Sequence, residues 1–130
     1  MNENEIARRV VDACFAIHIS LGPGLLESAY EKILLYELNR SGLCVRSQVS
    51  LPVVWKDVEI SPAFRADLIV EDKVIVELKS VDTLAPVHAK QLLTYLKIAD
   101  KRLGLLINFG EELMKNGIRR IANNLREQPW

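Results

Sequence analysis

The sequence predicts an α/β protein of the α+β kind: a central mixed β-sheet flanked by helices, with two helices ahead of the first strand. Three observations carry this. The first forty residues place apolar side chains at three- and four-residue spacing. From Leu43 to Lys79 the spacing shifts toward two. Beyond that lies one more helical segment and then a short, almost wholly apolar run. Elements in this order bury their apolar faces by packing helices against one sheet.

Ile6, Val10, Ala13, Cys14, Ile17 and Leu21 form the apolar stripe of a first helix from about Glu5 to Leu21, ended by Gly22-Pro23-Gly24. A second helix is expected from about Leu25 to Arg40 on Leu26, Tyr30, Ile33, Leu34 and Leu38, with Ser41-Gly42 as its stop. Then "LCVRSQVSLPVVW", "VEISPAFRADLIV" and "KVIVELKS" read as an antiparallel meander, with turn signals at Lys56-Asp57, Ser61-Pro62 and Glu71-Asp72. Pro86 suits the first turn of a third helix, "APVHAKQLLTYLKIAD". "RLGLLINF" has the composition of a central strand covered on both faces. "EELMKNGIRRIANNL" fits a final helix or a short strand followed by one, because Gly117 interrupts either pattern.

A chain of 130 residues, 49% hydrophobic, is expected to form one domain spanning 1–130. Its 17 basic and 17 acidic residues cancel, which excludes the overall electrostatic footprint of a polybasic nucleic-acid binder, so any such contact is local. From Lys97 onward a mild excess appears, seven Lys or Arg against four acids. Cys14 and Cys44 lack metal-ligand spacing, and Cys14 falls on a helix's apolar stripe, which points to reduced thiols and no disulfide. The opening "MNENEIARRV" is polar and acidic, and no run of about 18 apolar residues occurs, so a soluble, cytoplasmic protein that does not enter a membrane is expected.

Chemistry concentrates in "FRADLIVEDKVIVELKS", Phe64 to Ser80, where Asp67, Glu77 and Lys79 sit at the ends of two apolar strands. Glu77 and Lys79 share a face by strand alternation. Asp67 joins them only if it lies opposite Glu77, which needs a three-residue loop Glu71-Asp72-Lys73 or a bulge; a two-residue turn would pair Asp67 with Val76 and send Glu77 to the other face. Two adjacent carboxylates repel unless a cation lies between them. Mg²⁺ or Mn²⁺ suits such oxygen ligands. Lys79 can stabilise a pentavalent phosphate or help orient and deprotonate an attacking water. That set fits metal-assisted phosphodiester hydrolysis; a solvated strand end with a surface ion pair fits the same three letters.

"GLLESAY", Gly24 to Tyr30, reads G-x-x-E-x-x-Y, and it is followed in order by "ADLIV", "VIVELKSV", "HAKQLLTYLK" and "GLLINFG". Together these resemble the GxxExxY protein family of the PD-(D/E)XK nuclease superfamily, over about Ile17 to Ile121. The resemblance implies a restriction-endonuclease-like core, with Asp67 as the superfamily aspartate, Glu77 and Lys79 as its E-x-K, Glu27 as the acid on the preceding helix, and Gln91 as the glutamine after the catalytic strand. The metal set it implies is Glu27, Asp67, Glu77 and the backbone at Leu78.

From the residues themselves, Glu27, about one turn into its helix, is equally a local cap. Tyr30 reads as a packing residue with a tied hydroxyl. His88, Gln91 and Tyr95 share a helical face that could line a cleft, His88 being as readily an exposed bystander. Arg65, of the same strand parity as Asp67, is a candidate contact to a nucleic-acid backbone or a surface ion-pair member. Two functions remain: a Mg²⁺- or Mn²⁺-dependent nuclease, on DNA before RNA, or a non-catalytic interaction module of the same fold. Either would need a homodimer or a partner protein to grip nucleic acid.

Overall fold

The computed structural model describes residues 1–125. Helix α1 (Glu3–Leu21) starts two residues earlier than the apolar stripe alone implies, because the Asn2 side chain accepts a 2.8 Å hydrogen bond from the Glu5 N–H, and Glu3 and Glu5 lie at the positive end of the helix dipole. It ends at Gly22, whose φ of 73° admits few other residues. Helix α2 (Glu27–Arg40) starts two residues later than expected, which makes Glu27 its first residue rather than one a turn in.

Strands β1 (Val45–Trp55), β2 (Val58–Val70) and β3 (Val74–Lys79) form the expected antiparallel meander, except that Ser61-Pro62 lies within β2 and makes no turn. Helix α3 (Pro86–Ala99) then crosses over to β4 (Leu103–Asn108), which lies parallel to β3. Between residues 111 and 125 the strand half of the second alternative holds, and no helix follows it among the described residues. A 3-10 turn at Met114–Asn116 leads to β5 (Ile118–Ala122), antiparallel to β4. Gly117 is needed there because its Cα packs so tightly under the Asn108 carbonyl that a Cβ would sit 2.3 Å from that oxygen. The sheet order is β1-β2-β3-β4-β5.

Every residue of β4 is buried, as its composition demands. Two cores result. Leu68, Val70, Val74, Val76, Leu78, Leu103, Leu105 and Ile107 meet α1 and α2; Ile69, Ile75 and Leu106 meet α3. Gly104 lets α3 approach, since a Cβ there would lie 2.9 Å from Leu92 Cγ. The sheet is therefore a middle layer, and the ends of β2 and β3 are where the charged residues surface.

The β2–β3 register puts Asp67 level with Glu77. Val70 pairs with Val74 and Leu68 with Val76, so the loop is Glu71-Asp72-Lys73. Glu71 and Asp72 take left-handed φ values of 52° and 56°. Asp72 is tied by ion pairs to Arg46 and Lys101, which hold its carboxyl below its ordinary value, hydrogen bonding from Lys101 being the first cause.

A second irregularity was invisible in the pattern. On β2, Leu68 packs toward α1 and α2 while Ala66 and Phe64 pack toward α3; on β1, Val45 and Val49 differ in the same way. Both strands change face at Gln48 and Asp67, and Gln48 has φ 50°. Alternation thus breaks at Asp67, so strand parity no longer ties Arg65 to it, a correction to the parity reading. Arg65 is exposed on the side of β2 away from α3. No helix among the described residues is long and apolar enough to cross a membrane.

Candidate active site

Asp67 stands where the β2–β3 ladder opens, and side chains replace the missing backbone bonds. Its Oδ2 accepts a 2.9 Å hydrogen bond from the Leu78 N–H, and its own N–H donates at 3.3 Å to Glu77 Oε1. The two carboxyl groups are in contact. Burial first, and the charge of Asp67 second, push the Glu77 carboxyl up to about 9, and a hydrogen bond to the Asp67 side chain favours its protonated form further. Lys79, two residues along the same strand face, opposes this shift. A buried acid that prefers to stay protonated beside a second acid marks a place short of positive charge.

Glu27 reaches the same place from the α2 N-terminus. Burial raises its carboxyl and Asp67 adds to this, while Lys79, His88 and the Ser80 N–H oppose it. Its position follows from Tyr30, whose hydroxyl donates to the Gly22 carbonyl and accepts from the Leu25 N–H at 3.1 Å, fixing the loop that feeds α2. Tyr30 is fully buried and stacks on Phe109 at 4.3 Å. The expected packing role is therefore also a positioning role.

Two residues escaped the sequence reading. Glu31 lies one helical turn beyond Glu27; burial raises its carboxyl and Asp67 raises it further. Gln48 donates from Nε2 to Glu31 at 2.6 Å and to Asp67 at 3.3 Å. Glu31 was findable, since i and i+4 share a helix face. Gln48 was not, because its reach depends on its left-handed backbone. Together with Leu26, Glu27, Ser28 and Asp67 these two line a cleft of about 380 Å³. Cavities of about 630 Å³ (Leu51 to Val54 against Lys97 to Ala99) and 550 Å³ (Phe15 and His18 against Met114) are larger, but no paired carboxylates line them.

On α3, His88 accepts a 3.1 Å hydrogen bond at Nδ1 from the Ala85 N–H, so it caps its helix rather than standing idle. Tyr95 stacks on Phe64 at 4.0 Å; burial raises its hydroxyl, and Glu77 and Asp67 raise it further, while a hydrogen bond with Gln91 opposes them. Gln91 itself is exposed and joins the group through Tyr95. The loop after Lys79 is clamped from β4: buried Asn108 accepts from the Val81 and Gly110 N–H groups at 3.0 Å each and donates to the Val81 carbonyl at 2.9 Å.

Hard-oxygen donors with raised proton affinity fit a divalent cation, and Mg²⁺ asks the protein for only one or two carboxylates. Among the described residues no group of three or more His, Cys, Asp or Glu side chains is gathered closely enough to hold an ion. Asp67 and Glu77 are the two carboxyl groups in contact.

A mixed sheet between helices, with an aspartate and a Glu-x-Lys meeting at the end of a hairpin, defines a nuclease-type fold. A family model described as the PD-(D/E)XK nuclease superfamily matches residues 4–121, and the chain belongs to that superfamily. No match to a curated protein or to a solved structure was found.

Proposed function

We propose that the protein is a metal-dependent nuclease that hydrolyses phosphodiester bonds, with DNA as the first candidate substrate and RNA as the second, and that within its superfamily it is a GxxExxY protein, with Gly24, Glu27 and Tyr30 as the defining residues. The observation that carries this is the contact between Asp67 and Glu77, with Glu77 held at about 9 by burial and by its neighbour. In this reading Asp67 and Glu77 hold Mg²⁺ or Mn²⁺, with the Leu78 carbonyl and Glu27 as further oxygens, and the ion neutralises charge on the phosphate.

The chain's own residues do the rest. Lys79, whose charge acts on both Glu27 and Glu77, lends it to the pentavalent phosphate or orients the attacking water. Asp67 is held by the Leu78 N–H and by Gln48, so it keeps its place when substrate arrives. Gln91 and Tyr95 offer neutral hydrogen bonds to phosphate oxygens. Because His88 Nδ1 accepts from Ala85, a neutral ring carries its proton on Nε2, ready to donate to phosphate. Arg65 is assigned to the nucleic-acid backbone.

The equal count of 17 basic and 17 acidic residues favours a second reading, a non-catalytic interaction module of this fold. A cleavage assay separates them: single- and double-stranded DNA and RNA are incubated with wild type, Glu77→Gln and Lys79→Met in Mg²⁺ and in Mn²⁺. The nuclease reading expects products from wild type alone. Intact substrate with all three proteins rejects it.

A further inference from the structure

Helix α2 begins on a residue that its own stability does not call for. Leu26 is the N-cap, with extended backbone (φ −66°, ψ 148°), and it makes no side-chain cap, where Asn, Asp or Ser would bond a free N–H of the first turn. Its side chain is 76% exposed, so it adds little to the core. The backbone that carries it is nevertheless fixed. The Leu25 N–H donates to the Tyr30 hydroxyl at 3.1 Å, the Leu25 carbonyl accepts from the Ser80 hydroxyl at 2.9 Å, and the Leu26 carbonyl accepts from the Ala29 and Tyr30 N–H groups. A well-held, uncovered apolar side chain thus lines the cleft of Glu27, Glu31, Gln48 and Asp67. A residue that breaks a local rule without a structural gain is expected at a functional site.

We propose that Leu26 selects single-stranded nucleic acid, packing against the face of an unstacked base next to the phosphate that Asp67 and Glu77 receive. The inference rests on the nuclease reading for where the phosphate sits, and on Leu26 for which kind of strand reaches it. Charge and access both favour a single strand. A duplex is gripped through many phosphates by a positive surface. Around this cleft Glu27, Glu31 and Glu77 each feel the charge of Asp67, whereas Lys79 is the lysine whose charge acts on Glu27 and Glu77. A divalent ion offsets part of that negative surplus and leaves little to hold a row of phosphates. In a duplex the base faces are stacked out of reach. In a single strand they are open, and contact between a base face and an apolar side chain needs no positive charge.

Fluorescence anisotropy in Mn²⁺, with a labelled single strand and a blunt duplex of the same sequence, each as DNA and as RNA, tests it beside cleavage of the same substrates. Binding is read in a Lys79→Met background, which keeps the strands intact. With Leu26 present, the single strand of DNA or of RNA is expected to bind about ten-fold more tightly than its duplex. Leu26→Asn supplies the missing helix cap, so it should raise the melting temperature while weakening single-strand binding about ten-fold and leaving duplex binding unchanged. Leu26→Met, which keeps an apolar side chain, should bind the strand as Leu26 does. Strand binding that depends on Leu26, with no cleavage by the protein that keeps Lys79, removes the nuclease reading and upholds this one. Mn²⁺-dependent cleavage that takes the duplex ahead of the strand upholds the nuclease and overturns this inference. It is also overturned by a protein that binds no strand, or by Leu26→Asn binding the strand as before. If that variant instead loses self-association in sedimentation, Leu26 belongs to an interface between copies.

Discussion

Replacing Glu77 by glutamine in metal-free buffer should stabilise the protein, and by an amount that grows with pH. Glutamine keeps an Oε1 to accept from the Asp67 N–H and gains an N–H for the Asp67 carboxylate, so it copies the protonated acid. The folded carboxyl titrates at about 9 against an ordinary value of 4.5, so between those values the native state binds more protons than the unfolded chain and stability falls as pH rises. At about pH 7.5 the unfolded chain has gained roughly three units of ionisation that the folded chain lacks, or ~4 kcal/mol at ~1.36 kcal/mol per unit. At about pH 5 the same arithmetic leaves less than ~1 kcal/mol. For a domain of this size ~4 kcal/mol is a Tm difference on the order of 10 °C. Thermal melts of both proteins across this pH range, with chelator present, should show the two curves nearly together in acid and the variant well above wild type at neutral pH. A variant that melts below wild type at neutral pH would refute the reasoning and make Glu77 a member of a stabilising ion-pair network.

Tyr30→Phe removes the hydroxyl that bonds Gly22 and Leu25 and should lower stability by ~1–2 kcal/mol, read by urea unfolding, with a smaller effect on any turnover. Lost turnover with unchanged unfolding would instead place the hydroxyl in the chemistry. Asn108→Ala breaks three hydrogen bonds in a fully buried setting and should cost ~3 kcal/mol, and hydrogen exchange should show the Val81 and Gly110 amides opening. Lys79→Met removes the charge that opposes the acids around it, so metal-free stability should fall, metal affinity by calorimetry should hold or rise, and hydrolysis should disappear.

How far the site could be read in advance turns on the hairpin register. The letters Asp67, Glu77 and Lys79 left the register open, and the three-residue loop, with left-handed Glu71 and Asp72, sets Asp67 level with Glu77, where their side chains meet. The buried strands were legible because β3 and β4 are apolar on both faces, and α1 to α3 because their stripes are amphipathic. Helix starts moved with their caps: Asn2 extended α1, and the Tyr30 clamp delayed α2 to Glu27. Gln48 joined the site through a backbone conformation that glutamine seldom adopts, and the change of face at Gln48 and Asp67 left no trace in the period-two pattern. β5 was ambiguous because a glycine that a helix would disfavour is required by close packing against Asn108.

Isothermal titration of Mn²⁺ into wild type and Glu77→Gln tests the central claim, that these carboxylates are arranged for a cation, most directly. The account predicts saturable binding to wild type, with proton release as the Glu77 carboxyl ionises, and binding at least ten-fold weaker in the variant. Equal heats from the two proteins, or none from wild type, would contradict it.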